Sequence, residues 1–188
     1  MLAILDFIFH GSVRKIARKL SLFFESVSKS SLHEWIRSFT NKIKISCKKK
    51  HRDVIAIDET VIKHQGKKFF LWGAIDAFSK ELLAIHVSQY GDSIETYRLL
   101  KEAMKYCSNK PLVLRDGASW YNYAFQWTGL ENKHVTFGRR NPIERFFGYV
   151  KDRSKIFYNN INTPNIKRGL YSIWLFGNMI GFYYKYLR

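Results

Sequence analysis

Two short apolar runs constrain this chain more than any other feature. Residues 54–57 read Val-Ile-Ala-Ile and residues 111–114 read Pro-Leu-Val-Leu, and each run is closed within two positions by an aspartate, Asp58 and Asp116. A run with no polar alternation is a strand buried on both faces, so the sheet that holds it must be covered on both sides. The first run continues through Val61 and Ile62 to a turn at Gln65-Gly66. Residues 68–76 and 82–88 then read as two further strands, with a turn near Phe78-Ser79, which makes an antiparallel meander.

Helical stretches supply the cover. Asp92 or Ser93 caps a helix to about residue 107, with Ile94, Tyr97, Leu100, Ala103 and Met104 on one side. Residues 119–127 read as a short aromatic helix and 133–136 as an edge strand. Next comes a helix with Asn141 as N-cap and Pro142 as its first residue, whose Ile143, Phe146, Phe147 and Val150 form one apolar face. It carries Glu144 among the basic residues Arg139, Arg140, Arg145, Lys151, Arg153 and Lys155. A last helix opens at Thr163-Pro164 and turns Leu170, Ile173, Trp174, Phe176, Gly177 and Ile180 inward.

Charge narrows the class of partner. The 188 residues carry 32 Lys and Arg against 15 Asp and Glu, a formal charge of +17. Such a balance in a folded domain is the footprint of a polyanionic partner, and nucleic acid fits it better than a membrane surface. More than half of the excess, a net +9, lies in residues 1–52. There, Val13, Ile16, Ala17 and Leu20 mark one amphipathic helix, and Leu32, Trp35, Ile36 and Phe39 mark the inward face of a second, capped by Ser28 or by Ser31 with Glu34. The pattern suits a helix-turn-helix in which Lys29, His33 and Arg37 point outward toward DNA. Residues 41–52 read as a solvated basic linker, with Lys48, Lys49 and Lys50 in reach of phosphates.

Cys47 and Cys107 form no metal-spaced cluster, which fits a reducing cytoplasm. The apolar opening, interrupted by Asp6, reads as a helix, not a signal peptide. The uncharged stretch 169–184 is too short to span a bilayer and reads as a buried helix.

Asp58 and Asp116 at the ends of buried strands, with Glu144 on a late helix, form the set that two-metal phosphodiester chemistry requires. Three clustered carboxylates repel one another unless a cation is bound, and an all-oxygen donor set favours two Mg²⁺ or Mn²⁺ ions. Glu59 faces the other way in an extended chain, and Asp76 reads as a turn residue. Trp120 reads as a packed side chain and His134 as a hydrogen-bonded one, with lining of the DNA channel as the alternative for both.

The order β-β-β-α-β-α, with Ala-Ile-Asp-Glu-Thr around Asp58, Arg-Asp-Gly-Ala-Ser-Trp-Tyr around Asp116 and Asn-Pro-Ile-Glu-Arg-Phe-Phe-Gly-Tyr-Val-Lys around Glu144, resembles the DDE transposase/integrase superfamily. Within it the chain looks most like the insertion-sequence-six family. The resemblance implies an α/β, RNase H-like mixed sheet flanked by helices (residues 54–188), a small all-α helix-turn-helix module (1–46) and a basic linker (47–53). It implies Asp58, Asp116 and Glu144 as catalytic metal ligands, and Lys151, two turns beyond Glu144, as a DNA contact beside Arg139 and Arg140. The partners implied are the element's terminal inverted repeats and target DNA, met by a homodimer or larger assembly.

Two departures stand out. Only 27 residues separate Asp116 from Glu144, fewer than is usual in that family, so a shortened connection is expected there. The first helix also begins close to the start of the chain, as in a shortened frame. The competing readings are an inactive DNA-binding relic or repressor of the element, and an RNase H-like nuclease.

Overall fold

The computed structural model describes residues 6, 12–23, 26–42, 47–64, 66–135, 141–158 and 165–186. Strands β1 (Val54–His64), β2 (Lys67–Asp76), β3 (Leu82–Ser88), β4 (Leu112–Arg115) and β5 (Asn132–His134) form one sheet in the order β3-β2-β1-β4-β5. The three sequential strands pair antiparallel, whereas β4 pairs parallel with β1 and with β5. Helices α1 (Val13–Leu20), α2 (Lys29–Lys42), α3 (Ser93–Met104), α4 (Tyr121–Thr128), α5 (Asn141–Tyr158) and α6 (Ile166–Tyr186) complete the described elements.

The pleat divides the core into two layers. Even-numbered residues of β1 and β4, among them Val54, Ala56, Ile62 and Leu114, pack with Ile143, Phe146, Phe147 and Val150 of α5 and Ile173, Phe176 and Ile180 of α6. Odd-numbered residues Ile55, Ile57 and Val113 face the opposite way, onto Leu99, Leu100 and Ala103 of α3 and Tyr121, Ala124 and Phe125 of α4. Both apolar runs are thus covered on two sides, as a strand without alternation requires.

A third, smaller core joins the N-terminal helix pair to the rest. Val13 and Ile16 of α1 and Leu32 and Ile36 of α2 bury against Met179 of α6, with Phe39 edge-on to Phe182. Ser28 is the cap of α2, its Oγ accepting the Ser31 N–H at 3.0 Å. Trp35 does not join the inward face and remains 49% exposed. At 100° per residue it stands well off the stripe of Leu32, Ile36 and Thr40, and α6 meets that stripe alone.

The inner side of α3 is also rotated from its expected position. Asp92 caps the helix, accepting the Glu95 N–H at 3.0 Å, but Ile94 is 52% exposed while Glu95 and Thr96 are buried. Both polar residues are satisfied there: Glu95 meets His86 and Arg98, and Thr96 Oγ1 donates to the Asp92 carbonyl at 3.1 Å.

Arg52 departs furthest from expectation. Far from lying in a solvated linker, its side chain is fully buried, with Nη1 2.6 Å from Asp76 Oδ2 and Nη2 3.0 Å from Glu81 Oε2. Asp76 is the expected turn residue, its Oδ1 accepting the N–H groups of Phe78 and Ser79, both at 2.9 Å. Burial works to raise the Asp76 carboxyl pKa, but the Ser79 N–H, the Arg52 guanidinium and the Phe78 N–H together bring it below the ordinary value. Glu81 is likewise lowered, Lys50 and Arg52 outweighing its burial.

Among the described residues no helix is long and apolar enough to cross a membrane. The opening segment, read as a helix, and the Thr163-Pro164 helix start lie outside the described residues.

Candidate active site

The site is built by strand register. Val54 pairs with Leu112, Ile55 with Val113 and Ala56 with Leu114. Carried two residues further, this register sets Asp58 opposite Asp116. By parity both side chains belong to the α5 face, because successive side chains alternate across the sheet.

The helix above them is positioned through a glycine. Gly73 is the cross-strand partner of Asp58, and a Cβ there would lie 3.0 Å from Ile143 Cδ1 and 3.3 Å from Phe147 Cζ. Its missing side chain lets the first turns of α5 sit against the sheet beside Asp58. Glu144 follows Ile143 directly and is exposed on that first turn. Replacing Gly73 with valine is expected to push α5 outward and cost about 1–3 kcal/mol by overpacking, read from urea melts. An unchanged midpoint would mean that the helix yields freely.

Asp116 begins a tight loop. Its Oδ1 accepts the Ala118 N–H at 3.0 Å, and the preceding Arg115 is held by Asn132 Oδ1 at 3.0 Å and by the Asp116 carbonyl at 2.9 Å. Asp58 Oδ1 accepts the Glu59 N–H at 3.0 Å. Glu59 turns to the α4 side, as alternation requires, where the buried Tyr121 hydroxyl donates to its carboxylate. Burial raises the Tyr121 pKa strongly, and the charges of Glu59, Asp116 and Asp58 add to the rise. The Tyr121–Glu59 pair has no signature in the sequence, since the partners are 62 residues apart.

Among the described residues no three His, Cys, Asp or Glu side chains are gathered tightly enough to hold a metal ion. Asp58 and Asp116 each lie two residues beyond the Ala56–Leu114 pair of adjacent strands, and Glu144 is exposed on the first turn of α5. The donor chemistry suits a hard divalent cation, being oxygen throughout. The connection from Asp116 to Glu144, short as it is, contains both α4 and β5.

The other expected site residues are scattered. Lys29, His33 and Arg37 are exposed along α2, with the Arg37 guanidinium 5.6 Å from the centre of the Tyr171 ring. Partial burial, followed by the charge of Lys29, lowers the His33 pKa. Lys48 and Lys49 are exposed, and Lys50 is exposed but lies 3.1 Å from Glu81. Lys151 is exposed about 10 Å along α5 from Glu144, on the same side. Arg139 and Arg140 fall outside the described residues. His134 is exposed beside the Asp116 loop, its Nε2 3.4 Å from where a Gly117 Cβ would stand. Trp120 is half-buried and packs with Tyr121, and its indole N–H is buried without a partner.

The sheet, mixed and flanked by helices, is that of an α/β domain. Asp58 is not at a strand end as expected, because β1 runs on past it to His64 in its pairing with β2, while Asp116 follows the last residue of β4. The family model described as "DDE domain", of the IS240 transposase type, matches residues 52–176. An uncharacterised protein of Methanocaldococcus jannaschii is 41% identical over 154 residues, covering 79% of this chain and 69% of that protein. A Staphylococcus aureus transposase for the insertion sequence-like element IS431mec is 30% identical over 159 residues, covering 79% of this chain and 70% of that one. The chain belongs to the DDE transposase family, in its insertion-sequence-six group. Among solved structures, the HTLV-2 integrase catalytic core domain in complex with magnesium is 22% identical with a TM-score of 0.47, covering 66% of this chain and 85% of that one.

Proposed function

We propose that this protein cuts DNA at the ends of an insertion sequence and joins the freed ends to target DNA, with Asp58, Asp116 and Glu144 as the ligands of two divalent cations. The observation that supports it most is the parallel β1–β4 pairing that ends at Ala56 with Leu114, two residues before each aspartate, on a sheet whose one face is covered by the Glu144 helix. Bound Mg²⁺ or Mn²⁺ would supply activation of the attacking water or 3′-hydroxyl and charge stabilisation at the leaving oxygen.

The residues divide the remaining work. Asp58 is held within β1 opposite Gly73, and Asp116 by the loop that follows β4, where its Oδ1 accepts the Ala118 N–H. Glu144, exposed on the first turn of α5, would complete the oxygen ligand set of a bound cation, whose charge would offset the repulsion among the three carboxylates. Lys151, with Arg139 and Arg140, meets phosphates next to the reacting bond, and Lys48, Lys49 and Lys50 steady the duplex farther out. Lys29, His33 and Arg37 read the terminal repeats from the major groove. Two ends must be handled together, so a dimer or larger assembly is the working form.

The test is a duplex bearing the gene's flanking ends, incubated with the protein and Mg²⁺ or Mn²⁺. Cut and joined products that vanish on chelation are expected. Binding without products under either metal would favour the relic or repressor, and cut ends that never join would favour a nuclease.

A further inference from the structure

Helix α4 lies at the surface without charge: residues 117–130 contain neither an acidic nor a basic side chain. Its outer side is aromatic instead. Tyr123 and Trp127, one turn apart, are 61% and 55% exposed, with ring centroids 6.3 Å apart and planes inclined by only 27°. Single exposed rings are ordinary on a protein surface, but two that contact one another in solvent form a patch with a definite shape.

The patch is supported by a neighbouring helix and ends in a cation. Tyr97 of α3, packed against the core, meets Trp127 edge-on at 6.1 Å, and the Lys101 ammonium lies 5.9 Å from the centre of the Tyr97 ring. Every step of the row Tyr123–Trp127–Tyr97–Lys101 is thus a direct contact, made across two helices. Lys101 is exposed and forms no ion pair among the described residues. The other end of the row adjoins the active site. Tyr121, two residues before Tyr123, reaches Glu59 beside Asp58, and Asn122 Oδ1 accepts from Arg115 Nη2 at 3.3 Å, next to Asp116.

A second copy of this chain docked on the row would bring together two Lys101 side chains and two molecules of charge +17, with no acidic residue on α4 to receive them. Nucleic acid neutralises the lysine and offers flat faces on which near-parallel rings stack. Bases inside a duplex have no free face, so the bases concerned are unpaired. We infer that Tyr123, Trp127 and Tyr97, with Lys101 at the end of the row, form a stacking platform for unpaired bases of single-stranded DNA next to the site of cutting. This rests on the transposase reading above, since strand cleavage releases an end that can leave its complement. Tyr123 and Trp127 take the bases, Tyr97 props Trp127, and Lys101 meets a phosphate of the same strand. Stacking accepts every base, so the platform holds the cut strand without adding sequence preference.

The experiment titrates the full chain, without metal so that nothing is cut, against a labelled single strand of about 12 nucleotides and a duplex of the same length. Trp127→Leu and Tyr123→Leu each weaken single-strand binding by about tenfold, as expected for one stacked base, and leave duplex affinity within about twofold. No phosphate contact is lost in either, so the slope of log K against log salt stays unchanged, whereas Lys101→Ala reduces it by about 0.7 on the single strand. Trp127→Phe keeps an aromatic face and most of the affinity. Tyr123 is the more exposed ring, so Tyr123→Leu melts with wild type and keeps the test valid if Trp127→Leu folds poorly. Single-strand affinity unaltered in both leucine variants overturns the platform, as does a wild-type chain that binds duplex alone. Variants that sediment as monomers where wild type is a dimer, with single-strand affinity retained, overturn it in favour of a contact between copies. A wild-type chain that holds single strands through these rings yet neither cuts nor joins the flanking ends upholds the binding site and overturns the transposase reading.

Discussion

Asp116→Asn removes strand cleavage and joining by at least about a thousandfold while duplex binding and melting temperature stay as they are. Asparagine is the informative replacement because its amide oxygen can still accept the Ala118 N–H that Asp116 Oδ1 takes at 3.0 Å. The loop keeps its shape and loses one negative charge. A carboxylate-held cation contributes several kcal/mol of charge stabilisation to phosphodiester chemistry, and each 1.36 kcal/mol is tenfold in rate, which sets the expected size. The companion Asp58→Asn behaves alike, because Asp58 and Asp116 each follow the Ala56–Leu114 pair by two residues and are proposed to hold the same cations. Activity surviving within about tenfold would remove Asp116 from the metal site, whatever the family resemblance implies.

Arg52→Met is expected to be the most destabilising single change in the chain, costing about 3–5 kcal/mol, because it leaves Asp76 and Glu81 facing an uncharged side chain at a buried position. For a chain of this length that corresponds to a fall in melting temperature of about 10 °C. The effect depends on pH with a definite sign. Asp76 and Glu81 have lowered carboxyl pKa values in the folded protein, so their contribution is present above the ordinary carboxylate pKa of about 4 and is lost as pH falls through the lowered values. Stability of the wild-type chain therefore falls on acidification, and that of Arg52→Met falls less steeply. Urea melts at neutral and acid pH read both effects. A loss under about 1 kcal/mol at neutral pH would show that water reaches the two carboxylates once the guanidinium is gone.

The two predictions probe residues that differ in how visible they were beforehand. Asp116 stands at the end of an apolar run, and such an ending is a local pattern. Arg52 looked like the last member of a basic linker because its partners are 24 and 29 residues downstream. Burial of a guanidinium depends on where β2 turns back, and no window of sequence contains that information. Trp35 and Ile94 went astray for a related reason. Periodicity names an apolar stripe, but which stripe is buried is settled by the neighbour, and on α3 the buried side includes Glu95 and Thr96, which read as polar until His86, Arg98 and the Asp92 carbonyl satisfy them.

From sequence alone came the elements and their order, the positive charge, the two aspartates that close apolar runs and the apolar face of the Glu144 helix, because each is written in spacings of a few residues. Tertiary structure alone decided the sheet order, the register that pairs Ala56 with Leu114, the Gly73 contact that places α5 against the sheet, the extension of β1 past Asp58 and the Tyr121–Glu59 pair. These join residues tens of positions apart. The free energy that selects such pairings comes from burying two faces of one sheet at once, which is a property of the whole chain and of no segment within it.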